Sequence, residues 1–248
     1  DNKNVRQILE DRNGRIFLST GFQLYAYHPR EEKITCVLPE ICTGNTFYAQ
    51  CHIAPDNNLW VMTSTGLRCY DLSTLQLKES VALSGYPYYS YLHNNELWIT
   101  GNHTLSIFDT RTRSFKPLPQ PIARNTTLCN ADIDYIHPYG NNGLLLNTAR
   151  HGMFYYNPGT GSVTRQGENG FPFEMPRFRI SRMFTDSQQN LWIGSVDQGY
   201  TVCYHYKERF NNDNYLRSEL NNKSVVSLSA GKDHKLWIST LMDGIYVR

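Results

Sequence analysis

One short apolar pattern recurs six times along this 248-residue chain, and it restricts the possible folds more than any other feature. In each copy a run such as Leu-Trp-Ile follows a polar turn and leads into a loop that ends in glycine. The central residue of each copy, which we call the anchor, is Phe17, Trp60, Trp98, Leu145, Trp192 or Trp237. Successive anchors lie 38 to 47 residues apart, a period typical of propeller blades.

The residues around each anchor predict four strands per repeat. An alternating run such as Ile180 to Thr185 precedes the turn, and alternation of period two indicates a strand. A third strand ends in an aromatic residue about ten positions after the anchor. The weaker fourth strands are predicted at Lys33 to Val37, Gln76 to Val81, Ser114 to Lys116 and Ser162 to Arg165.

The predicted fold class is therefore all-β, a β-propeller of about six four-stranded antiparallel blades. We expect residues 1–248 to form one propeller domain or a fragment of a propeller. An array of seven or more blades is the alternative. The approximate blades are 1–43, 44–82, 83–121, 122–172, 173–219 and 220–248. The central strands are expected to be buried on both faces, with the four tryptophan anchors packed between neighbouring blades.

Composition excludes several classes of partner. Lys and Arg total 24 against 22 acidic residues, so no strong positive field favours nucleic acid. No run reaches the roughly 18 apolar residues of a membrane span, so direct membrane insertion by this segment is not expected. The six cysteines include no CxxC pair, which favours scattered core thiols. A disulfide from Cys36 to Cys42 or Cys51, or a metal site, is the alternative.

The repeat resembles the two-component regulator propeller repeat. The residues that carry this resemblance are Leu9-Glu-Asp-Arg-Asn-Gly14 with Phe17-Leu-Ser-Thr20, then 59–67 and 186–194. Phe17 and Leu145 depart from the usual tryptophan, and the turn at 138–142 lacks an acid. The resemblance implies the periplasmic ectodomain of a hybrid two-component histidine kinase in the inner membrane, which detects products of polysaccharide breakdown. It also implies an adjacent propeller and an immunoglobulin-like domain in the same receptor.

No sequence motif indicates catalysis. The chain contains no GxSxG, HExxH, P-loop or GxGxxG pattern, so we expect neither an enzyme nor a cofactor or metal. A streptogramin-lyase-like propeller is the enzymatic alternative, and His151 is its best candidate for a catalytic base.

Strand direction predicts where a ligand would bind. The loops between blades and the loops between second and third strands open on one face of a propeller, which places Asn102 and His103 there. Aromatic rings and arginine forks suit sugars. The predicted ligand-binding residues are Tyr88, Tyr89, Arg150, His151, Arg177, Arg179, Asp197, Gln198 and Asp243. For Tyr88, a packing role between blades is the alternative, and for Arg177 and Arg179 a solvated position or contact with a second propeller.

The predicted function is an extracytoplasmic sensor module that recognises, or helps to recognise, an oligosaccharide. Its expected partners are that oligosaccharide, the neighbouring receptor domains and a second copy in a homodimer. A scaffold for protein interaction or dimerisation, without a ligand site, is the alternative from another class.

Overall fold

The computed structural model describes residues 5–20, 23–38, 48–140, 142–174, 180–196, 198–204, 219–231 and 235–247, with the main chain only at 48, 49, 88 and 230. The chain divides into two compact units, residues 1–184 with 192–201, and residues 185–191 with 202–248. Each sheet lies within one predicted repeat.

Four sheets contain four strands each, hydrogen-bonded in chain order. The first contains β1 (Gln7–Glu10), β2 (Ile16–Ser19), β3 (Leu24–His28) and β4 (Lys33–Val37). The second contains β5 (Tyr48–Ile53), β6 (Asn58–Thr63), β7 (Gly66–Asp71) and β8 (Leu77–Ala82). The third contains β9 (Pro87–His93), β10 (Glu96–Gly101), β11 (Thr104–Asp109) and β12 (Ser114–Lys116). The fourth contains β13 (Ile133–Tyr139), β14 (Gly143–Thr148), β15 (Gly152–Asn157) and β16 (Ser162–Arg165).

The remaining two sheets show three strands each among the described residues. The fifth contains β17 (Ile180–Thr185), β18 (Leu191–Ser195) and β19 (Tyr200–Cys203). The sixth contains β20 (Val225–Ala230), β21 (Leu236–Thr240) and β22 (Ile245–Val247). Two short helices, α1 (Gln120–Ala123) and α2 (Thr126–Cys129), lie between the third and fourth sheets. The all-β propeller fold is therefore confirmed, and all four predicted outer strands are present, the second shifted by one residue.

Polar turns close the first hairpin of the first and fifth repeats. Asp11 Oδ1 accepts hydrogen bonds from the main-chain N–H groups of Asn13 and Arg15, both at 2.9 Å. Asp186 holds the corresponding turn of the fifth repeat in the same way. Gly14 has a φ of 76°, a conformation that costs glycine little. The Asp-x-x-Gly pattern thus marks a turn closed by its own carboxylate.

The core lies between successive sheets. One apolar cluster joins sheets one and two, a second joins sheets two and three, and a third joins sheets three and four together with both helices. Trp60 is fully buried, and its ring meets Phe108 of the third sheet edge-on at 5.2 Å. Trp98 is 2% exposed and lies against Tyr156 of the fourth sheet. These two anchors pack between blades as the repeat predicts.

The prediction is wrong for the other two tryptophan anchors. Trp192 is 38% exposed and Trp237 is 44% exposed, and their strands are not buried on both faces. The Trp192 ring lies 5.5 Å from that of Tyr200 on its own sheet. A single tilted ring covers less of an indole than the apolar sheet face that covers Trp60.

Side chains on the first strands link neighbouring sheets through hydrogen bonds to the main chain. The Gln7 side chain donates to the carbonyl of Cys51 and accepts from its N–H, both at 2.8 Å. Gln50 repeats this role one sheet later, where its Oε1 accepts from the N–H of Ser90. Both glutamines pair with the residue two positions after the anchor of their repeat.

In the third and fourth sheets, a tyrosine takes the place of the glutamine and pairs with the residue two positions after the anchor. The Tyr89 hydroxyl donates to the carbonyl of Ile136 at 3.2 Å, and the Tyr135 hydroxyl donates to that of Met183 at 3.3 Å. We call these four links the inner-strand ladder. Every rung runs from a side chain on one sheet to the main chain of the next.

The Tyr89 rung gives a testable prediction. Tyr89→Phe leaves the carbonyl of buried Ile136 without this donor, so we expect a loss of about 1 kcal/mol in the free energy of unfolding. Tyr25→Phe is the control, because that hydroxyl bonds to Gln23 at the exposed surface, and its effect should stay within about 0.5 kcal/mol. Urea denaturation followed by circular dichroism measures both, and equal losses would contradict the role of the rung.

Candidate functional site

A cavity of about 380 Å³ lies at one end of sheets three and four. Its wall comes from three segments: the turn between β10 and β11, the turn between β14 and β15, and the chain that enters β13. The lining residues are Asn102, His103, Asn130, Ala131, Asp132, Arg150 and His151. The two turns and the segment between the sheets thus meet on the face that strand direction predicts.

A threonine fixes the turn that carries Arg150 and His151. Thr148 Oγ1 accepts from the N–H of His151 at 2.9 Å and donates to the carbonyl of Gly152 at 2.7 Å. Gly152 has a φ of 77°, which a residue with a side chain rarely adopts. On the other side, Arg165 Nε donates to the carbonyl of His151 at 2.7 Å. The main chain of the turn is therefore held from both directions.

The two helices position the third segment. Ile122 and Leu128 are fully buried in the core between sheets three and four. Asn125 caps α2 by accepting from the N–H of Leu128 at 2.9 Å, and the Asn130 side chain donates to the carbonyl of Thr126 at 2.8 Å. This insertion delivers residues 130–132 to the cavity wall.

Asp132 joins the third segment to both turns. Its Oδ1 accepts from the N–H of His103 at 3.1 Å and lies 3.3 Å from His103 Nδ1. That Nδ1 also lies 3.0 Å from the carbonyl oxygen of Asn130, so it carries a proton, because a carbonyl oxygen only accepts. The main-chain carbonyl of Asp132 accepts from the N–H of Ala149 at 2.9 Å. The carboxylate is thus already engaged by His103.

Arg150 and His151 present exposed side chains to the cavity. In the part of the chain that the structure describes, Arg150 forms no ion pair. A guanidinium group offers a planar fork of donors that matches a carboxylate or sulfate group. The cavity therefore combines donors, acceptors and one accessible cation.

The other predicted site residues do not line this cavity or cannot be placed in it. Tyr89 belongs to the inner-strand ladder, where its ring lies 4.8 Å from that of Tyr135 and burial raises the pKa of its hydroxyl. The N–H of Gln198 bonds to Ser195 in the turn of the fifth sheet. Asp243 occupies the matching turn of the sixth sheet, in the second unit, where its N–H bonds to Thr240. Arg177, Arg179, Asp197 and the side chain of Tyr88 lie outside the described residues.

Sequence reasoning missed Asn130, Ala131 and Asp132. Their signal was available, because an Asn-Ala-Asp segment directly before the first strand of the fourth repeat occupies a loop between blades. The helical insertion that places it has no counterpart in the repeat pattern.

The described residues form neither a disulfide nor a metal site. Cys36, Cys51, Cys69, Cys129 and Cys203 are free thiols, so the Cys36 to Cys51 disulfide does not form, while Cys42 lies outside the described residues. Across the described ranges, no group of three or more His, Cys, Asp and Glu side chains is arranged to hold a metal ion. None of the described helices is long and apolar enough to cross a membrane.

Solved structures with the same fold include extracellular domains of bacterial signalling proteins. The extracellular domain of a protein described as hybrid two component system BT3049 from B. thetaiotaomicron is 17% identical with a TM-score of 0.61, over 100% of this chain and 34% of that one. The extracellular domain of a protein described as one component system BT4673 from the same organism is 19% identical with a TM-score of 0.60, over 98% of this chain and 32% of that one. The predicted resemblance to such ectodomains is confirmed at the level of the fold.

A eukaryotic propeller is also similar. The β-propeller domain of Cps50 (Swd1) from Myceliophteria thermophila is 10% identical with a TM-score of 0.59, over 100% of this chain and 84% of that one. No protein-family model matches the sequence, and no curated protein is significantly similar to it. The chain spans about a third of the length of the two bacterial ectodomains.

Proposed function

We propose that this chain is an extracytoplasmic sensor domain that binds an oligosaccharide in the cavity between sheets three and four. The observation that supports the proposal is the convergence of seven mostly polar residues, from two turns and one connection, on a space of about 380 Å³. Ligand pockets commonly have volumes of about 300–1,000 Å³ with a few placed polar groups. Loops on a rigid scaffold are where binding residues concentrate.

The chemistry of the wall suits hydroxylated ligands. Asn102 and Asn130 carry carboxamides, which both donate and accept, and the imidazoles of His103 and His151 add further hydrogen-bonding nitrogens. A sugar ring presents several hydroxyl groups that also donate and accept. The proposal assigns binding, and no catalysis, to these residues.

The whole receptor is part of the same proposal. The bacterial ectodomains of similar fold belong to signalling systems, which supports a place in the periplasm as part of an inner-membrane hybrid two-component receptor. An adjacent propeller, an immunoglobulin-like domain and a second copy of the receptor would be its partners. The ligand changes signalling only if it binds one arrangement of the receptor more tightly than the other.

Binding can be tested by thermal unfolding against a panel of oligosaccharides. A ligand at 100 times its Kd adds about 2.7 kcal/mol, which should raise the Tm by about 5 °C or more. Arg150→Ala and His151→Ala should each remove most of this rise, because both side chains line the cavity. Arg30→Ala is the control, since Arg30 is exposed in the turn between β3 and β4.

Two results would contradict the proposal. One is an unchanged Tm with every oligosaccharide, and the other is a rise that both cavity variants retain. A lyase or glycan-cleaving activity that His151→Ala abolishes would instead support the enzymatic alternative.

One observation favours the scaffold alternative. Ile8 and Ile34, on the face of the first sheet opposite its core, are 66% and 59% exposed. Exposed apolar residues on one sheet face are common at protein interfaces. If Ile8→Lys with Ile34→Lys abolishes self-association in size-exclusion chromatography while no sugar raises the Tm, the scaffold function replaces the sensor function.

A further inference from the structure

The two charged groups that line the cavity differ in their contacts with the rest of the wall. Its wall carries one carboxylate, one guanidinium group, two imidazoles and two carboxamides. The carboxylate of Asp132 accepts the main-chain N–H of His103 and lies 3.3 Å from His103 Nδ1, so it is engaged within the wall. What remains for a ligand is the positive charge of Arg150 and the hydrogen-bonding groups.

The main chain at Arg150 is also held in place. Its turn is fixed by Thr148 on one side and by Arg165 on the other, through the main chain of His151. Because these contacts use the main chain, they leave the side chains of Arg150 and His151 directed to solvent, where both are exposed. Because the main chain is already fixed, only the side chain of Arg150 has to be ordered when it binds.

An anion would complete this arrangement. A carboxylate or sulfate group accepts two parallel hydrogen bonds from a guanidinium group, and charge-assisted bonds are about twice as strong as neutral ones. A neutral sugar would offer the guanidinium group of Arg150 only neutral acceptors. In the described residues, Asp132 is the only acidic side chain that lines the cavity, so no second carboxylate repels an anion.

We propose that the cavity selects an acidic oligosaccharide, whose carboxylate or sulfate group binds the guanidinium group of Arg150 while its hydroxyls bond to the neighbouring carboxamides and imidazoles. This inference rests on the proposed oligosaccharide-binding function and adds the class of sugar. Uronic acids and sulfated sugars supply the same anionic chemistry from different sources.

Calorimetric titration of the 248-residue chain tests this with matched ligands. The probes are a uronic-acid oligosaccharide, the same oligosaccharide with its carboxyl groups reduced to alcohols, and a sulfated oligosaccharide of equal length. We expect at least one of the two acidic ligands to bind tenfold or more tightly than the reduced ligand. Arg150→Gln should remove that preference, and Arg150→Lys should keep part of it, because lysine retains the charge without the fork.

The control variant is Arg30→Gln, which removes the same charge from a turn outside the cavity and should keep the tenfold preference. If the uronic-acid ligand binds and the sulfated ligand does not, the anion is a carboxylate, and the reverse result identifies a sulfate. Equal binding of reduced and acidic ligands would overturn the acidic class while leaving the proposed sensor function intact. If no oligosaccharide binds at all, both fail. Circular dichroism of each variant confirms that loss of binding is not loss of folding.

Discussion

The free energy of unfolding should fall steeply as the pH drops from about 6.5 to about 4. His52 and His137 are both buried, and burial lowers the pKa of each imidazole to about 4. In the unfolded chain each has a pKa of about 6.5, so below that pH the unfolded state binds protons that the folded state does not. The stabilisation is fully present above pH 6.5 and is lost as the pH falls towards the folded pKa.

The expected size of this effect is about 3 kcal/mol for each histidine, a large share of a typical domain stability of about 5–15 kcal/mol. Asp109 acts at lower pH, because its hydrogen bond with Lys116 lowers the pKa of its carboxyl group to about 2. Urea denaturation at half-unit steps from pH 7.5 to 4 measures the curve.

His52→Gln combined with His137→Gln supplies the control. Glutamine remains neutral and can still bond to Ser90, whose Oγ lies 2.8 Å from His52 Nε2. The double variant should show a much flatter dependence between pH 6.5 and 4, whatever its stability at pH 7. A slope equal to that of the unmodified protein would show that other groups cause the acid sensitivity.

Truncation of two anchors at the same repeat position should lower the free energy of unfolding by very different amounts. Trp60→Ala removes a fully buried indole between sheets two and three, so we expect a loss of about 4 kcal/mol. Trp192→Ala removes a ring that is 38% exposed, and its cost should be at most about half as large. Circular dichroism during urea denaturation measures both without relying on tryptophan fluorescence.

If Trp60→Ala does not fold, Trp60→Phe provides the comparison with Trp192→Phe, and the order of the two losses should be the same. Equal losses would mean that repeat position, rather than burial, determines the energetic weight of an anchor. The outcome therefore tests whether the repeat pattern alone can rank core residues by their contribution to stability.

The fold could be predicted from sequence because each repeat carries redundant signals. Strand alternation, the aspartate-closed turn and the aromatic end of the third strand all depend on local chemistry, which recurs with the period. The exposed rings of Trp192 and Trp237 could not be predicted, since burial depends on what covers a sheet face. The local sequence of these anchors is almost the same as that of Trp98.

The candidate site was only partly predictable. The turn residues His103, Arg150 and His151 follow from strand direction, because the turns between the second and third strands of all repeats open on the same face. Asp132 was missed, although it lies in a loop between blades, because a helical insertion outside the repeat pattern brings it against the two turns. Tyr89 is a different case, because an aromatic residue near a loop has the composition of a binding residue, and in the structure its hydroxyl completes a link between sheets.

The inner-strand ladder has a direction. In every rung the side chain belongs to the earlier sheet and the main-chain partner to the later one. Because a chain is synthesised from its N-terminus, the reaching side chain is already present when the following strand leaves the ribosome. Each blade can therefore offer its successor a hydrogen-bonding group that sets the position of the next inner strand.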